Sequence, residues 1–66
     1  MKATDIQEGD QLVGDDGRVY WTALSDADEP YGGEVHVRVR FHDGARGDRW
    51  LPVGRELPIR RPGVSL

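Results

Sequence analysis

Apolar and polar residues alternate most regularly in the middle of the chain. From Val35 to Phe41 every second residue is apolar, and the other side of the pattern consists of His36, Arg38, Arg40 and His42. Because successive side chains of a strand point to opposite faces, the pattern predicts a half-buried strand over 35–42 with a cationic outer face. A slip of one residue would turn this cationic side into the core, so the register is firmly specified.

A hairpin is predicted before this strand. Asp16-Gly17 suits a two-residue primed turn, which would join a strand over 11–13 to a strand over 18–24. This register gives three favourable pairs: Asp15 with Arg18, Val13 with Tyr20, and Leu12 with Trp21.

The strand over 18–24 is apolar on both faces, although a single small core can bury only one of them. Trp21 lies on one face, whereas Tyr20 and Leu24 lie on the other. We expect a loop or a terminus to cover the second face, as in small curled barrels. The alternative is an exposed aromatic surface for a partner, made by Tyr20 and by Tyr31 in the acidic, Gly- and Pro-containing loop over 25–33.

Two registers are possible after the central strand. A tight turn at Asp43-Gly44 would place Asp48 opposite Val39 and point a carboxylate inward. A longer loop over 43–48 pairs Phe41 with Trp50 instead, and we favour it because burying an unpaired carboxylate costs more than closing a longer loop.

A fourth strand over 49–53 contains a proline that favours an edge position, and a short fifth strand covers 57–60. The predicted core is Ile6, Leu12, Trp21, Val35, Val37, Val39, Phe41, Trp50, Leu57 and Ile59.

Five short strands with regular turn signals predict an all-β fold, a small antiparallel barrel or open sandwich, over residues 1–61 with a frayed tail over 62–66. Gly9-Asp10 before the first strand, the Asp16-Gly17 hairpin and the later Asp43-Gly44 loop resemble the pattern of five-stranded SH3-like barrels. The chain also resembles small proteins of actinobacteria and their phages. An SH3-like barrel implies a binding module, and the class includes proline-peptide binders, methyl-lysine readers and nucleic-acid-binding modules, so the resemblance does not choose among them.

The charge of the chain is unevenly distributed. Nine basic and twelve acidic residues give a net charge of −3, but residues 1–33 hold two basic against eight acidic residues, and residues 34–66 hold seven against four. The preference for Arg over Lys is typical of GC-rich genomes such as those of actinobacteria and their phages, which concerns the source and not the function. For the function we expect a small bacterial or phage regulatory or accessory protein. The absence of Cys, of a signal-peptide pattern and of a long apolar stretch leads us to expect a cytoplasmic protein without membrane contact.

Catalysis and metal binding have little support in the sequence. Neither Ser25 nor Ser65 stands in a nucleophile elbow, and so small a domain is not expected to form a pocket of about 300 Å³. His36 and His42 would lie about 20 Å apart along one strand, too far to share a zinc ion. We therefore expect no enzyme activity and no cofactor.

The cationic side of the central strand is the best candidate binding face. We expect a non-catalytic module that binds another protein through this face, while a nucleic-acid-binding barrel is the alternative. In a third interpretation the face is only solvated and is neutralised by the acidic loop at Asp26, Asp28 and Glu29. The candidate residues of the face are His36, Arg38, Arg40, His42, Arg49 and Arg60.

Overall fold

One antiparallel sheet organises the chain in a computed structural model that describes residues 1–62. Its strands are β1 (Gln11–Val13), β2 (Val19–Ala23), β3 (Glu34–Phe41), β4 (Arg46–Pro52) and β5 (Ile59–Arg60), and a single 3-10 turn covers Ala3–Asp5. The order β4-β3-β2-β1-β5 leaves β4 and β5 as edges of an unclosed sheet. The prediction of a five-stranded, antiparallel all-β architecture is confirmed, as is the edge position of the strand that contains Pro52.

Two predictions from the sequence concern the C-terminal tail and the absence of membrane contact. The predicted tail over 62–66 lies outside the described residues, except for Pro62. Within residues 1–62, the structure contains no helix that is long and apolar enough to cross a membrane.

The apolar face of β3 is the centre of the core. Val35, Val37 and Val39 have no exposed surface, so the predicted alternation of this strand is confirmed. Each such side chain contributes about 1.5–3 kcal/mol through burial. Four other buried residues, from β2 and from the chain before β1, complete the core: Ala3, Ile6, Trp21 and Ala23. The two alanines were not among the predicted core residues.

The β1–β2 hairpin contains a three-residue loop, where the sequence predicted a two-residue turn. Gly14 N–H donates to the Arg18 carbonyl over 2.8 Å, and Gly17 has a φ of +83°, which a residue without Cβ adopts freely. The predicted pair of Asp15 with Arg18 is wrong, because Arg18 Nε lies 3.3 Å from an Asp16 carboxylate oxygen instead.

The three-residue loop shifts the register of this hairpin by one residue next to the turn, and a β-bulge restores the predicted register at Leu12. Leu12 pairs with Trp21 as predicted, but the register shifts after Leu12 and Val13 lies opposite Val19. The predicted pair of Val13 with Tyr20 is therefore wrong. The extra residue of a bulge accounts for this shift, since it opposes two residues of one strand to one residue of the other.

The β3–β4 hairpin repeats the same loop. Phe41 N–H donates to the Ala45 carbonyl over 2.7 Å, Gly44 has a φ of +92°, and Asp43 accepts a hydrogen bond from Ala45 N–H over 2.9 Å. The loop is one residue longer than a two-residue turn, so every side chain of β4 moves to the opposite face from the one that the tight turn would give it.

Both registers that we considered for this hairpin are consequently wrong. Val39 lies opposite Gly47, and Trp50 lies opposite His36. Trp50 is 57% exposed, so its predicted place in the core is also wrong. The carboxylate of Asp48, which made the tight turn unattractive, lies on the outer face, and no inward carboxylate arises.

A buried ion pair attaches the residue that follows β5 to the residue that precedes β1. Asp10 is 1% exposed, and Arg61 donates to its two carboxylate oxygens over 2.9 and 3.0 Å. Arg61 also donates to the Asp5 carbonyl over 3.0 Å. Burial by itself raises the pKa of Asp10, but hydrogen bonds from Arg61 and from Gln7 N–H, with the charge of Arg61, outweigh it and hold this pKa below its usual value.

Candidate binding surface

The face of the sheet that points away from the core, here called the outer face, carries most of the predicted candidates. His36, Arg38 and Arg40 alternate with the buried valines of β3, and His42 continues the series past the end of the strand. Thr22 of β2 lies opposite Arg40, which places Tyr20 and Thr22 on the same face. Four strands besides β3 contribute to this face.

One cross-strand row on the outer face extends over the whole width of the sheet. Consecutive pairings connect Arg46 of β4 to Arg40 of β3, then to Thr22, then to Gln11, and finally to Arg60 of β5. The Gln11 side chain accepts a hydrogen bond from Arg60 over 3.0 Å and donates to the Thr22 hydroxyl over 3.5 Å. We call this set the arginine row: Arg46, Arg40, Thr22, Gln11 and Arg60.

Two cations of the row are direct neighbours. Arg40 and Arg46 form a cross-strand pair, in which Cβ atoms lie about 5 Å apart, and like charges in such a pair are destabilising. Among residues 1–62, no carboxylate forms an ion pair with Arg40, Arg46 or the adjacent Arg38. The acidic loop, which could neutralise this face in the third interpretation of the sequence, thus forms no ion pair at these three positions within the described chain, although Asp48 lies opposite Arg38.

The acidic loop neutralises His36 instead. Asp28 of the loop lies 2.9 Å from Nδ1 of His36, and Asp48 of β4 lies 2.6 Å from Nε2. A carboxylate can only accept, so both contacts are hydrogen bonds only when both ring nitrogens carry protons. The hydrogen bonds to Asp28 and then Asp48 raise the pKa of His36 despite its partial desolvation, and the ring also packs against Trp50 at a centroid distance of 4.8 Å.

The remaining predicted residues are distributed over several places. Arg60 lies in the arginine row, but Arg49 does not, because it lies opposite the buried Val37 and so belongs to the other face. Its guanidinium covers the ring of Phe41 at 4.7 Å from the centroid, where Gly47 leaves room for that ring.

The two tyrosines are both exposed but do not share a site. Tyr20 is 49% exposed, so residues 1–62 do not provide the predicted cover over the second face of β2 at this position, while Thr22 and Leu24 on the same face are half-buried. Tyr31 is 83% exposed and lies in the loop before β3, where its N–H donates to the Glu34 carbonyl over 2.7 Å.

Sequence reasoning missed Trp50 as a surface residue, together with Thr22 and Gln11 as members of the row. Within residues 46–50 every second residue, Arg46, Asp48 and Trp50, belongs to the outer face. The charges of the first two could have indicated that Trp50 shares a solvated face, since strand side chains alternate.

A depression of about 490 Å³ opens beside the hairpin loops and exceeds the volume expected for so small a domain. It lies between Tyr20, Trp21, Phe41 and Arg49. Residues 1–62 contain no group of three His, Cys, Asp or Glu side chains that could hold a metal ion. No protein-family model, curated protein or solved structure matches the chain.

Proposed function

We propose that this protein is a non-catalytic interaction module that binds an acidic surface of a partner protein through the arginine row. The observation that carries the proposal is the cross-strand pair of Arg40 and Arg46, with which no carboxylate within residues 1–62 forms an ion pair. A sheet gains nothing in stability from two opposed cations. An anionic ligand placed over them turns this repulsion into attraction.

The side-chain chemistry of the row suits carboxylates. A guanidinium presents a planar fork of donors that matches a carboxylate in bidentate geometry. Arg60 is oriented by Gln11 at the far end of the row, so the two ends offer cations on different strands. Electrostatic complementarity of this kind increases the association rate and the specificity more than the affinity.

An acidic protein surface fits this face better than a long polyanion does. The outer face also holds Asp48 and Glu34, and Asp28 lies beside it, so a phosphate backbone that extended from the arginine row toward His36 would meet carboxylates. The net charge of −3 adds general repulsion of nucleic acid. The resemblance to SH3-like barrels, whose members are largely binding modules, supports the same proposal.

A nucleic-acid-binding barrel is the second candidate because of one observation. Trp50 is 57% exposed on the face that carries the arginines, and an exposed aromatic ring near cations is typical of platforms that stack the bases of single strands. Binding of this kind would decrease steeply with salt.

Amide chemical shifts of the ¹⁵N-labelled chain test the two candidates. We expect a short polyglutamate peptide at low salt to shift residues of the arginine row, and an oligothymidylate of matched charge to have less effect. If the oligonucleotide shifts Trp50 and the row while the peptide shifts nothing, the nucleic-acid candidate replaces the proposal.

A charge-matched pair of variants separates the row from the net charge. The double variant Arg40→Gln/Arg46→Gln should lose peptide binding and unfold at an equal or higher urea concentration, because it relieves the repulsion between the two cations. Arg18→Gln/Arg55→Gln removes the same charge from exposed loop positions and should bind like the wild type. Equal loss of binding in both variants would contradict a specific role of the row.

A further inference from the structure

The outward edge of β4 is a row of backbone groups without partners in the described chain. Within residues 1–62, β4 pairs only with β3. The ladder bonds of Phe41 with Ala45 and of Val53 with Gly33 border this strand pair. In an antiparallel pair, every second residue forms ladder bonds and the residues between them point their N–H and C=O groups outward.

This alternation identifies the free groups. Counting in steps of two from Ala45, residues 47, 49 and 51 bond to β3, so Arg46, Asp48 and Trp50 present N–H and C=O to the edge. Pro52 has no N–H and ends the series. No hydrogen bond within residues 1–62 uses the backbone of Arg46, Asp48 or Trp50 on that side.

We propose that an extended segment of a partner protein adds to the edge of β4 as an antiparallel sixth strand, with an acidic residue opposite Arg46 and an apolar residue opposite Trp50. Addition of a strand to an open edge supplies main-chain hydrogen bonds for affinity and cross-strand side-chain pairs for specificity. This inference rests on the proposed function and deepens it by naming the form and the side-chain order of the partner.

The side chains of β4 define what the added strand carries. Arg46 lies beside Arg40, so a carboxylate opposite Arg46 faces two cations. Opposite Asp48 an acidic residue is disfavoured and a lysine is favoured. Trp50 is 57% exposed and can pack against an apolar residue, and Arg49 on the other face can pair with an acidic residue. Read from its N-terminus, the segment is therefore apolar, acidic, basic, apolar and acidic.

Charge disfavours two registers in which a second copy of this chain could pair with the edge of β4. If two copies of β4 paired with Asp48 at the centre, the two Asp48 carboxylates would face each other. If they paired with Arg46 at the centre, the two Arg46 guanidiniums would do so, next to two copies of Arg40. A register midway between these pairs each Arg46 with an Asp48, so self-association is measured directly in the test.

The test uses a capped peptide with the sequence Thr-Phe-Glu-Lys-Val-Glu-Thr and the full-length ¹⁵N-labelled chain. We expect binding to slow the hydrogen exchange of the Arg46, Asp48 and Trp50 amides by about tenfold or more. A peptide methylated at the backbone nitrogen of Lys loses an N–H donor that points at β4 and should not bind. N-methylation at the neighbouring Val removes a donor that points away, so that peptide should still bind.

A charge exchange tests the register. Arg46→Glu should lose the peptide and should gain the analogue in which Lys replaces the last Glu. If Arg46→Glu binds neither the original peptide nor the lysine analogue, although the wild type binds the original peptide, the proposed pairing is wrong.

Three results overturn the proposal. In the first, both N-methylated peptides shift the amide resonances of the arginine row equally, and the hydrogen exchange of the β4 amides does not change. This result rejects strand addition and leaves the proposed function intact. Another is a concentration-dependent dimer in sedimentation with the same three amides protected in the absence of peptide, which assigns the edge to a second copy. The third is the absence of any response to either this peptide or polyglutamate, which contradicts the proposed function as well.

Discussion

Two ionic clusters hold distant parts of this chain together, and they differ in burial. Asp10 and Arg61 form a pair in which the carboxylate is 1% exposed, whereas the carboxylates of Asp28 and Asp48 at His36 are largely in solvent. A buried carboxylate that loses its partner has no water to replace it, while exposed groups exchange one partner for another. The same kind of contact therefore stabilises the fold in one place and leaves a surface adjustable in the other.

The largest effect is expected from Asp10→Asn. The amide places a donor against the guanidinium of Arg61, and we expect the free energy of unfolding to fall by about 3 kcal/mol in urea denaturation. A domain of this size has little stability to lose, so the variant should be partly unfolded at 37 °C.

Asp5→Asn is the matched control, because it removes an exposed carboxylate of the adjacent 3-10 turn and keeps the carbonyl that Arg61 uses. It should change the unfolding free energy by less than about 0.5 kcal/mol. Equal effects of the two variants would mean that burial of the carboxylate is not the cause.

Acid should affect the buried cluster by protonating Asp10. The pKa of Asp10 is lower in the folded chain than the value of about 3.9 in unfolded chains, so its contribution is complete above that value and is lost as the pH falls through the folded pKa. The carboxyl carbon resonance of Asp10 should titrate with a midpoint at lower pH than that of an Asp in an unfolded chain. A midpoint at or above about 4 would contradict the hydrogen bonding that we describe.

Alkali should affect the exposed cluster. The pKa of His36 is raised, so its contribution is complete below the unfolded value of about 6.5 and is lost as the pH rises through the folded pKa. Compared with His36→Gln, the wild type should have a higher urea midpoint at pH 6 and lose that advantage by pH 9. The variant His42→Gln keeps His36 and should keep the alkaline decrease.

The smallest effects should come from the exposed carboxylates. Asp28→Asn and Asp48→Asn should each lower the pKa of His36 in a ring-proton titration and shift the urea midpoint far less than Asp10→Asn does. Loss of stability comparable to that of Asp10→Asn would contradict the proposed energetic difference between the two clusters.

The sequence predicts the parts of this fold that depend on local pattern. The alternation of β3 identifies Val35, Val37 and Val39 as core residues, because a strand with one cationic face has a single permissible orientation. The edge position of Pro52 follows from the missing N–H of proline. The pair of Leu12 with Trp21 was predicted correctly only because the bulge offsets the extra residue of the hairpin loop.

The faces of β4, the buried ion pair and the arginine row could not be predicted, because they depend on the exact length of a loop or on residues far apart in the sequence. The favoured loop over 43–48 and the tight turn both differ from the actual three-residue loop by an odd number of residues. This difference reversed the faces of β4, so Trp50 was assigned to the core and Arg49 to the binding face. Asp10 reads as a turn residue, and only the arrival of Arg61, 51 residues later, allows its burial. The arginine row combines five strands, so it exists only once every register is known.

The shared loop of the two hairpins has a consequence for the order of folding events. The β3–β4 hairpin has seven cross-strand pairs around a loop of three residues, and hairpins of this kind form within about 1–10 μs. Asp10 and Arg61 must instead close most of the chain, so we expect their contact to form after the folding transition state. Variants of Asp10 should consequently accelerate unfolding and leave the refolding rate nearly unchanged, so this ion pair sets how long the folded molecule lasts.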